Sequence, residues 1–142
     1  MSIYAVIDTN VIVSVLLSRH SDSIAVPLIR RMLQLDLIPV FSSETMREYA
    51  EVLGRRKFKF SHEQISYILS AMARYGLMLE SYPSGEILPD MKDLPFYEVV
   101  MEKRKTDESY LVTGNQKHFP GLPFIVSPKE MLDILDGKQA SL

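Results

Sequence analysis

Cysteine and tryptophan are both absent from the 142 residues. Without thiols the chain can form neither disulfides nor thiolate metal sites, and this composition fits a reducing compartment. No apolar run is long enough to span a bilayer, and the opening MSIYAVIDTN lacks the basic and apolar regions of a secretory signal. We therefore expect a cytoplasmic protein with no membrane association.

The chain also lacks a strong net charge, since its formal charge is -2. This argues against a protein that coats nucleic acid through a large positive field, so a nucleic-acid ligand would need a local basic patch. Hydrophobic residues make up 46% and charged residues 24%, an ordinary globular balance. We predict a single domain over residues 1–136 and a frayed tail over residues 137–142.

Short apolar segments alternate with helical patterns along the chain. We predict strands at Ile3–Ile7, Leu37–Phe41, Leu77–Glu80, Tyr110–Thr113 and Phe124–Val126. We predict helices at Asn10–Leu17, Ser21–Leu35, Glu44–Arg55, from a Ser61 capping box to Gly76, at Phe96–Lys103 and at Glu130–Leu135 after a Ser127 cap. Strands that alternate with helices imply a parallel sheet covered on both faces.

Polar residues recur where the predicted strands end. Asp8 closes the first strand, Glu48 lies in the helix after the second, and Asp93 precedes the helix that leads to the fourth. Thr113 and Asn115 close the fourth strand. Ligands of open parallel sheets bind at this edge, and clustered carboxylates repel one another unless a cation lies between them. Hard oxygen ligands suit Mg²⁺ or Mn²⁺, which can support phosphodiester hydrolysis.

Three blocks of the sequence resemble PIN domains in order and spacing: IYAVIDTNVIVSVLL, SSETMREYAEVLGRRKF and DLPFYEVVMEKRKTDESYLVTGNQKHFP. The last block is most similar to the subgroup of toxins from toxin–antitoxin pairs. The resemblance implies a three-layer α/β/α sandwich with a mainly parallel sheet of four to five strands. It also implies a Mg²⁺- or Mn²⁺-dependent ribonuclease, an RNA substrate, an antitoxin partner and a homodimer.

By motif position, Asp8, Glu48 and Asp93 would be the acidic metal ligands, and Asn10 would orient Asp8 or a bound water. Asn115 stands where many PIN domains place a fourth acid, so we list it as a catalytic candidate that adds no negative charge. This departure leaves a second hypothesis open, a catalytically silent module that binds RNA or protein. Glu98 replaces a small apolar residue of the family and either joins the site or faces solvent.

Each candidate also has a purely structural interpretation. Asp8 is a favoured helix cap, and Thr45 and Glu48 have capping-box spacing. Asp90 competes with Asp93 for the metal role, and Asn115 suits a turn. The histidines (His20, His62 and His118) show no ligand spacing, so we expect surface or turn roles for them.

A basic run with interleaved aromatics occupies residues 55–60. Arg55, Arg56 and Lys57 are candidate substrate contacts together with Asn10 and Thr113, since cations beside aromatic rings can hold phosphates and stack bases. The alternative for this run is a solvated helix end. A similar but weaker run covers residues 103–105. A third hypothesis is a phosphate-binding domain of the receiver or flavodoxin type. The sequence argues against it, because it contains neither the glycine-rich loop nor the paired acids that such domains use.

Overall fold

The computed structural model describes residues 2–18 and 25–137. The strands in these ranges are β1 (Ile3–Ile7), β2 (Leu37–Phe41), β3 (Leu77–Met78), β4 (Ser109–Val112) and β5 (Ile125–Val126). The helices are α1 (Thr9–Leu17), α2 (Ala25–Leu33), α3 (Ser43–Leu53), α4 (His62–Tyr75), α5 (Leu94–Lys103) and α6 (Pro128–Leu135). Single 3₁₀ turns lie at Arg56–Phe58, Met91–Asp93 and Gln116–His118. None of the described helices is long and apolar enough to cross a membrane.

The five strands form one parallel sheet in the order β3-β2-β1-β4-β5. Successive residues of β1 and β4 are buried, so helices cover both faces of the sheet. On one side α2 packs against β2 and α6, whereas α5 packs against β1, β2 and β4. The predicted α/β/α sandwich with a mainly parallel sheet is therefore confirmed.

The sheet order changes direction between β1 and β4. From β1 the chain steps outward to β2 and β3, and it then returns to β4 and β5 on the other side of β1. Such a switch point leaves a crevice beyond the carboxyl ends of the two central strands. The fold thus singles out one place for a site, where Asp8 and Thr113 follow β1 and β4.

Local signals set most of the helix starts. Ser61 with Gln64 and Ser127 with Glu130 form the two predicted capping boxes. A third box starts α3, where the Ser42 hydroxyl accepts from the Thr45 amide and Thr45 reaches back to the Ser42 amide. The structural interpretation of Glu48 as the partner of Thr45 is therefore wrong, because Thr45 is paired with Ser42.

Several predicted ends differ from the structure. The third strand is shorter than Leu77–Glu80, because its partner β2 ends at Phe41, whose carbonyl accepts the last bond from the Leu79 amide at 2.9 Å. The third helix ends at Leu53, and Arg55 leads into a separate 3₁₀ turn. The predicted beginning of the second helix at residues 21–24, His20, and residues 138–142 of the tail lie outside the described residues.

Tyr49 fixes α3 against the end of β1. Its side chain is fully buried, its ring centroid lies 5.6 Å from that of Phe96, and its hydroxyl donates a hydrogen bond to the Ile7 carbonyl. Ile7 directly precedes Asp8, and Tyr49 directly follows Glu48. The contact therefore brings the α3 carboxylate towards the same edge as Asp8.

Candidate active site

Asp8 lies at the switch point of the sheet, where its backbone amide still pairs with the Val112 carbonyl at 2.9 Å. The residue is only 4% exposed. Its Oδ2 accepts hydrogen bonds from the Thr113 hydroxyl at 2.7 Å and from the Asn10 amide at 3.1 Å. Its side chain makes no capping bond to α1. Asp8 therefore occupies the N-cap position of α1 without a side-chain capping bond, and capping alone does not explain its burial or its partners.

The turn after β4 is joined to Asp8 through a small hydrogen-bond network. The buried Thr113 hydroxyl accepts from the Asn115 backbone amide at 3.0 Å, and the Asn10 Oδ1 accepts from the Gly114 amide at 3.1 Å. Asn10 thus uses both ends of its amide to connect the two strand ends. The Asn115 side chain is exposed and makes no hydrogen bond within the part of the chain that the structure describes.

Burial raises the pKa of the Asp8 carboxyl to about 6 from its ordinary value of 3.8. The hydrogen bond from Thr113 opposes this shift, and the negative charge of Asp93 adds to it. A buried carboxylate of this kind is costly to ionise and gains from a cation placed beside it. The electrostatics therefore favour a positively charged ligand at Asp8.

Asp93 rather than Asp90 is the acid whose charge acts on Asp8. Asp90 caps the Met91–Asp93 turn by accepting from the Lys92 amide at 3.0 Å. Asp93 is partly buried, makes no capping bond to α5, and its pKa is raised by burial and then by the charge of Asp90. Its own charge in turn raises the pKa of both Asp8 and Glu48, which places it within electrostatic reach of each.

Glu48 lies partly buried on α3, with a pKa that is raised by burial and then by the charge of Glu51. The positive charges of Arg55 and Lys92 lower it. The three predicted acids therefore share one edge of the sheet. However, within residues 2–18 and 25–137 no three Asp, Glu or His side chains are arranged to hold a metal ion. Asp8, Glu48 and Asp93 therefore lie in the same region, but in the part of the chain that is described they do not form a set of metal ligands.

His118 is the site residue that the sequence analysis missed. It ends the Gln116–His118 turn, and its Nδ1 lies 3.2 Å from the Asp93 Oδ2. We predicted a surface or turn role for it, and its side chain is 44% exposed. The contact with Asp93 joins residues 25 apart in sequence, so no local spacing could have indicated it.

Glu98 is partly buried, and its carboxylate accepts a hydrogen bond from the Ser84 amide at 2.7 Å.

Two open depressions flank Asp93. One of about 430 Å³ is lined by Glu44, Arg47, Glu48, Glu51, Met91, Lys92 and Pro95, and the other of about 360 Å³ is lined by residues 114–118. Lys92 adjoins Asp93 in the first, and His118 pairs with it in the second. The first depression holds two cations, Arg47 and Lys92, beside three carboxylates, and the second holds Lys117. Cations are therefore available near the acids, although the first depression is not positively charged overall.

The basic residues Arg55, Arg56 and Lys57 are not part of the Asp8 network. They follow α3, and Arg55 pairs with the Glu51 carboxylate at 3.0 Å. Their link to the acids is electrostatic, through the effect of Arg55 on the pKa of Glu48. The structure therefore places the candidate substrate contacts of the sequence in two regions, with Asn10 and Thr113 at Asp8 and the cations at the end of α3.

The fold and the site define a class: this is an α/β protein with a parallel sheet and an acidic site at the switch point of that sheet. A family model described as "PIN domain" matches residues 4–117, and the chain belongs to the PIN domain family. Members of this family are generally nucleases, which supports a nuclease role. Searches of curated proteins and of solved structures return no significant match.

Proposed function

We propose that the protein is a Mg²⁺- or Mn²⁺-dependent endoribonuclease and the toxin of a toxin–antitoxin pair. The observation that carries the proposal is the buried Asp8 carboxylate at the switch point, held by Thr113 and Asn10 and close to the charge of Asp93. No cationic side chain of the described ranges makes an ion pair with Asp8. The RNA substrate, antitoxin, homodimer and cytoplasmic location rest on the family resemblance and composition.

The donor atoms at this edge fit a hard divalent cation. Asp8, Glu48 and Asp93 supply carboxylate oxygens, and the buried Thr9 hydroxyl beside Asp8 has no hydrogen-bond partner among the residues described. Within the described ranges these acids do not form a ready group of metal ligands, so ion binding would require their side chains to move closer together. A bound divalent ion supplies Lewis-acid catalysis to phosphodiester hydrolysis.

The remaining residues orient the acid and the substrate. Thr113 and Asn10 hold one oxygen of Asp8 and leave the other for a ligand. Because Asn10 also fixes the Gly114 amide, the carboxylate and the turn after β4 keep a constant separation. Lys92 and Arg47 line one side of the acids and can neutralise the phosphates of a bound strand.

The direct test is cleavage of mixed single-stranded RNAs by the purified protein in Mn²⁺, measured beside an Asp8→Asn variant. We expect cleavage by the wild type, loss of cleavage in the variant, and loss in the wild type when EDTA is present. Asp107→Asn, which changes an exposed carboxylate beyond α5, is the matched control and should cleave normally. Cleavage that persists in Asp8→Asn would contradict the proposal.

The second candidate is a silent PIN module that binds RNA or protein without cutting. It is favoured by the unassembled acids and by the uncharged Asn115. Calorimetric titration with Mn²⁺ separates the candidates, because a nuclease of the proposed kind must bind the ion and lose that binding in Asp8→Asn. The absence of Mn²⁺ binding at millimolar concentration would favour the silent module.

A further inference from the structure

The segment between α3 and α4 holds an aromatic pair in a fixed geometry. The rings of Phe58 and Phe60 are nearly parallel at 8°, with centroids 5.3 Å apart. Lys59 between them adopts a left-handed conformation with φ of 56°, which turns the chain back so that the rings meet. Phe60 packs against the hydrophobic core, and Phe58 stacks on it while remaining partly exposed. Phe58 is therefore a supported ring at the surface.

Exposed cations surround this ring. The Lys57 Nζ lies 5.1 Å from the centroid of Phe58, and Arg56 and Lys59 are both exposed. Within the described ranges, none of these three cations forms an ion pair with a carboxylate. The segment thus combines uncompensated positive charge with an aromatic ring, whereas Arg55 at its start is paired with Glu51.

We propose that residues 55–60, the basic–aromatic turn, form a subsite for single-stranded RNA that holds the substrate beside the acidic site. This inference rests on the proposed function. An unpaired base can stack on the outer face of Phe58 if the Lys57 ammonium, which lies over that ring, shifts to a neighbouring phosphate, and the other cations can neutralise further phosphates. The combination therefore selects a single strand over a duplex, whose bases are already stacked.

The position of the turn fits this role. Glu48 lies five residues before the end of α3 at Leu53, which corresponds to about 7.5 Å along the helix axis, and Arg55 follows two residues later. The depression lined by Glu48, Glu51 and Lys92 extends along the same helix, and the charge of Arg55 lowers the pKa of Glu48. A short stretch of single strand can follow α3 from the turn to the acids.

Binding can be tested apart from cleavage with proteins that carry Asp8→Asn. Fluorescence anisotropy of a labelled oligouridylate measures the affinity, and circular dichroism checks that each variant is folded. Phe58→Leu keeps an apolar cover on Phe60 but removes the ring, so we expect about tenfold weaker binding. Phe58→Tyr should retain the affinity. Phe124→Leu is the matched control, because Phe124 also carries a cation above its ring, Arg104 at 4.1 Å, but lies just before β5.

The salt dependence tests the cations. Arg56→Gln with Lys57→Gln should reduce the slope of log K against log salt by about 1.4, from about 0.7 for each lost phosphate contact. Lys59→Gly keeps the left-handed turn and should remove about 0.7 by itself. Lys105→Gln is the control. It removes a cation that follows α5 and pairs with Glu102, and it should leave the slope unchanged.

Several outcomes would overturn the inference. These are unchanged binding in Phe58→Leu, an unchanged salt slope in the double variant, and a duplex that binds as tightly as the single strand. Altered self-association with normal RNA affinity would assign the turn to protein contact instead. If the wild type cleaves RNA but Phe58→Leu binds RNA normally, the subsite proposal alone is contradicted. If RNA binding depends on the Phe58 ring but the wild type does not cleave RNA, the nuclease proposal is contradicted and the subsite proposal stands.

Discussion

The amino and carboxyl edges of the sheet differ in how their charged side chains are paired. Near the amino ends of the strands, the Arg31 guanidinium bridges Asp36 at 3.0 Å and Asp136 at 2.5 Å, and Lys103 pairs with Asp107 at 2.6 Å. Near the carboxyl ends, the contact between His118 and Asp93 at 3.2 Å is the only pairing that the described residues offer to the predicted acids. Carboxylates are thus ion-paired at one edge, whereas at the other Asp8 and Glu48 have no ion pair with a described residue.

The pKa values follow the same division. The hydrogen bond from Lys103 lowers the pKa of Asp107, whereas burial raises that of Asp8 to about 6. A carboxylate that is matched inside the protein favours the folded state, and one that is left unmatched costs stability until a ligand supplies the opposite charge. The difference separates carboxylates that serve the fold from those available to a ligand.

The two basic runs obey this rule as well. In the run 103–105, Lys103 lies 4.1 Å from the Tyr4 ring centroid, Arg104 donates to the Ser109 carbonyl at 2.6 Å, and Lys105 pairs with Glu102. Those cations hold neighbouring elements together. In the basic–aromatic turn Arg56, Lys57 and Lys59 have no such carboxylate partners among the described residues. Two runs that look similar in sequence therefore differ in how their cations are paired.

The largest expected effect is stabilisation by a cation at the carboxyl edge. Mn²⁺ at about 100 times its dissociation constant should raise the free energy of unfolding by about 2.7 kcal/mol if it binds only the folded state. Denaturant unfolding with and without Mn²⁺ measures this. Asp8→Asn should lose the gain and Asp107→Asn should keep it. An equal gain in all three proteins would show that the ion binds elsewhere.

The next effect is stabilisation by removal of the unmatched charge. Asp8→Asn should raise the free energy of unfolding at pH 7 by up to about 2.7 kcal/mol in the absence of metal, from a pKa shift of about two units at 1.36 kcal/mol each. The pKa of Asp8 is raised in the folded state, so the cost is complete above about pH 6 and disappears as the pH falls towards 3.8. Unfolding series at pH 7 and pH 4 test both points. Destabilisation by the variant at pH 7 would contradict the raised pKa.

A smaller effect of opposite sign is expected at the amino edge. Arg31→Gln removes two ion pairs and a bond to the Leu135 carbonyl at 3.2 Å, and should lower the free energy of unfolding by about 1–2 kcal/mol. RNA cleavage should be unchanged, because Arg31 does not contact the site. Arg30→Gln, on the exposed face of the same helix, is the control and should alter neither property. Loss of cleavage in folded Arg31→Gln would break the division between the edges.

Much of the fold could be predicted because its signals are local. Ile3–Ile7 and Leu37–Phe41 are continuous apolar runs with polar ends, and both strands are confirmed with these bounds. The Ser61 and Ser127 capping boxes are also confirmed. The end of the third strand depends instead on where its partner β2 stops. The end of β3 is thus set by a distant segment, and the sequence at residues 79 and 80 does not indicate it.

The site shows the same limit. Asp8 and Thr113 could be brought together from sequence, because the carboxyl ends of parallel strands meet at one edge. The contact of His118 with Asp93 depends on the path of the 3₁₀ turn after β4, and the directions of Asp93 and Glu48 depend on rotamers set by tertiary packing. Sequence therefore indicated which acids share an edge but not how their side chains are arranged there.

The smallest effect should come from Asp107→Asn. The carboxylate accepts from Lys103 and from the Thr106 hydroxyl at 2.8 Å, but it is solvent-exposed, so its ion pair is screened. We expect a loss of stability smaller than that of Arg31→Gln. The pKa of Asp107 is lowered in the folded state, so its contribution is present above 3.8 and is lost as the pH falls through the lowered pKa.

Unfolding titrations of Asp107→Asn and Asp8→Asn at low and at 1 M salt sharpen the comparison between the edges. Salt should reduce the deficit of Asp107→Asn, because the Asp107 side chain is 39% exposed and its charge is screened, although that of Lys103 is only 11% exposed. The gain of Asp8→Asn should persist, since burial rather than a distant charge is its main cause. The two differences have opposite signs at pH 7, and both should vanish in acid, where each carboxylate is protonated in the folded and unfolded states. A deficit of Asp107→Asn that resists salt would place that pair among the buried, fold-determining contacts.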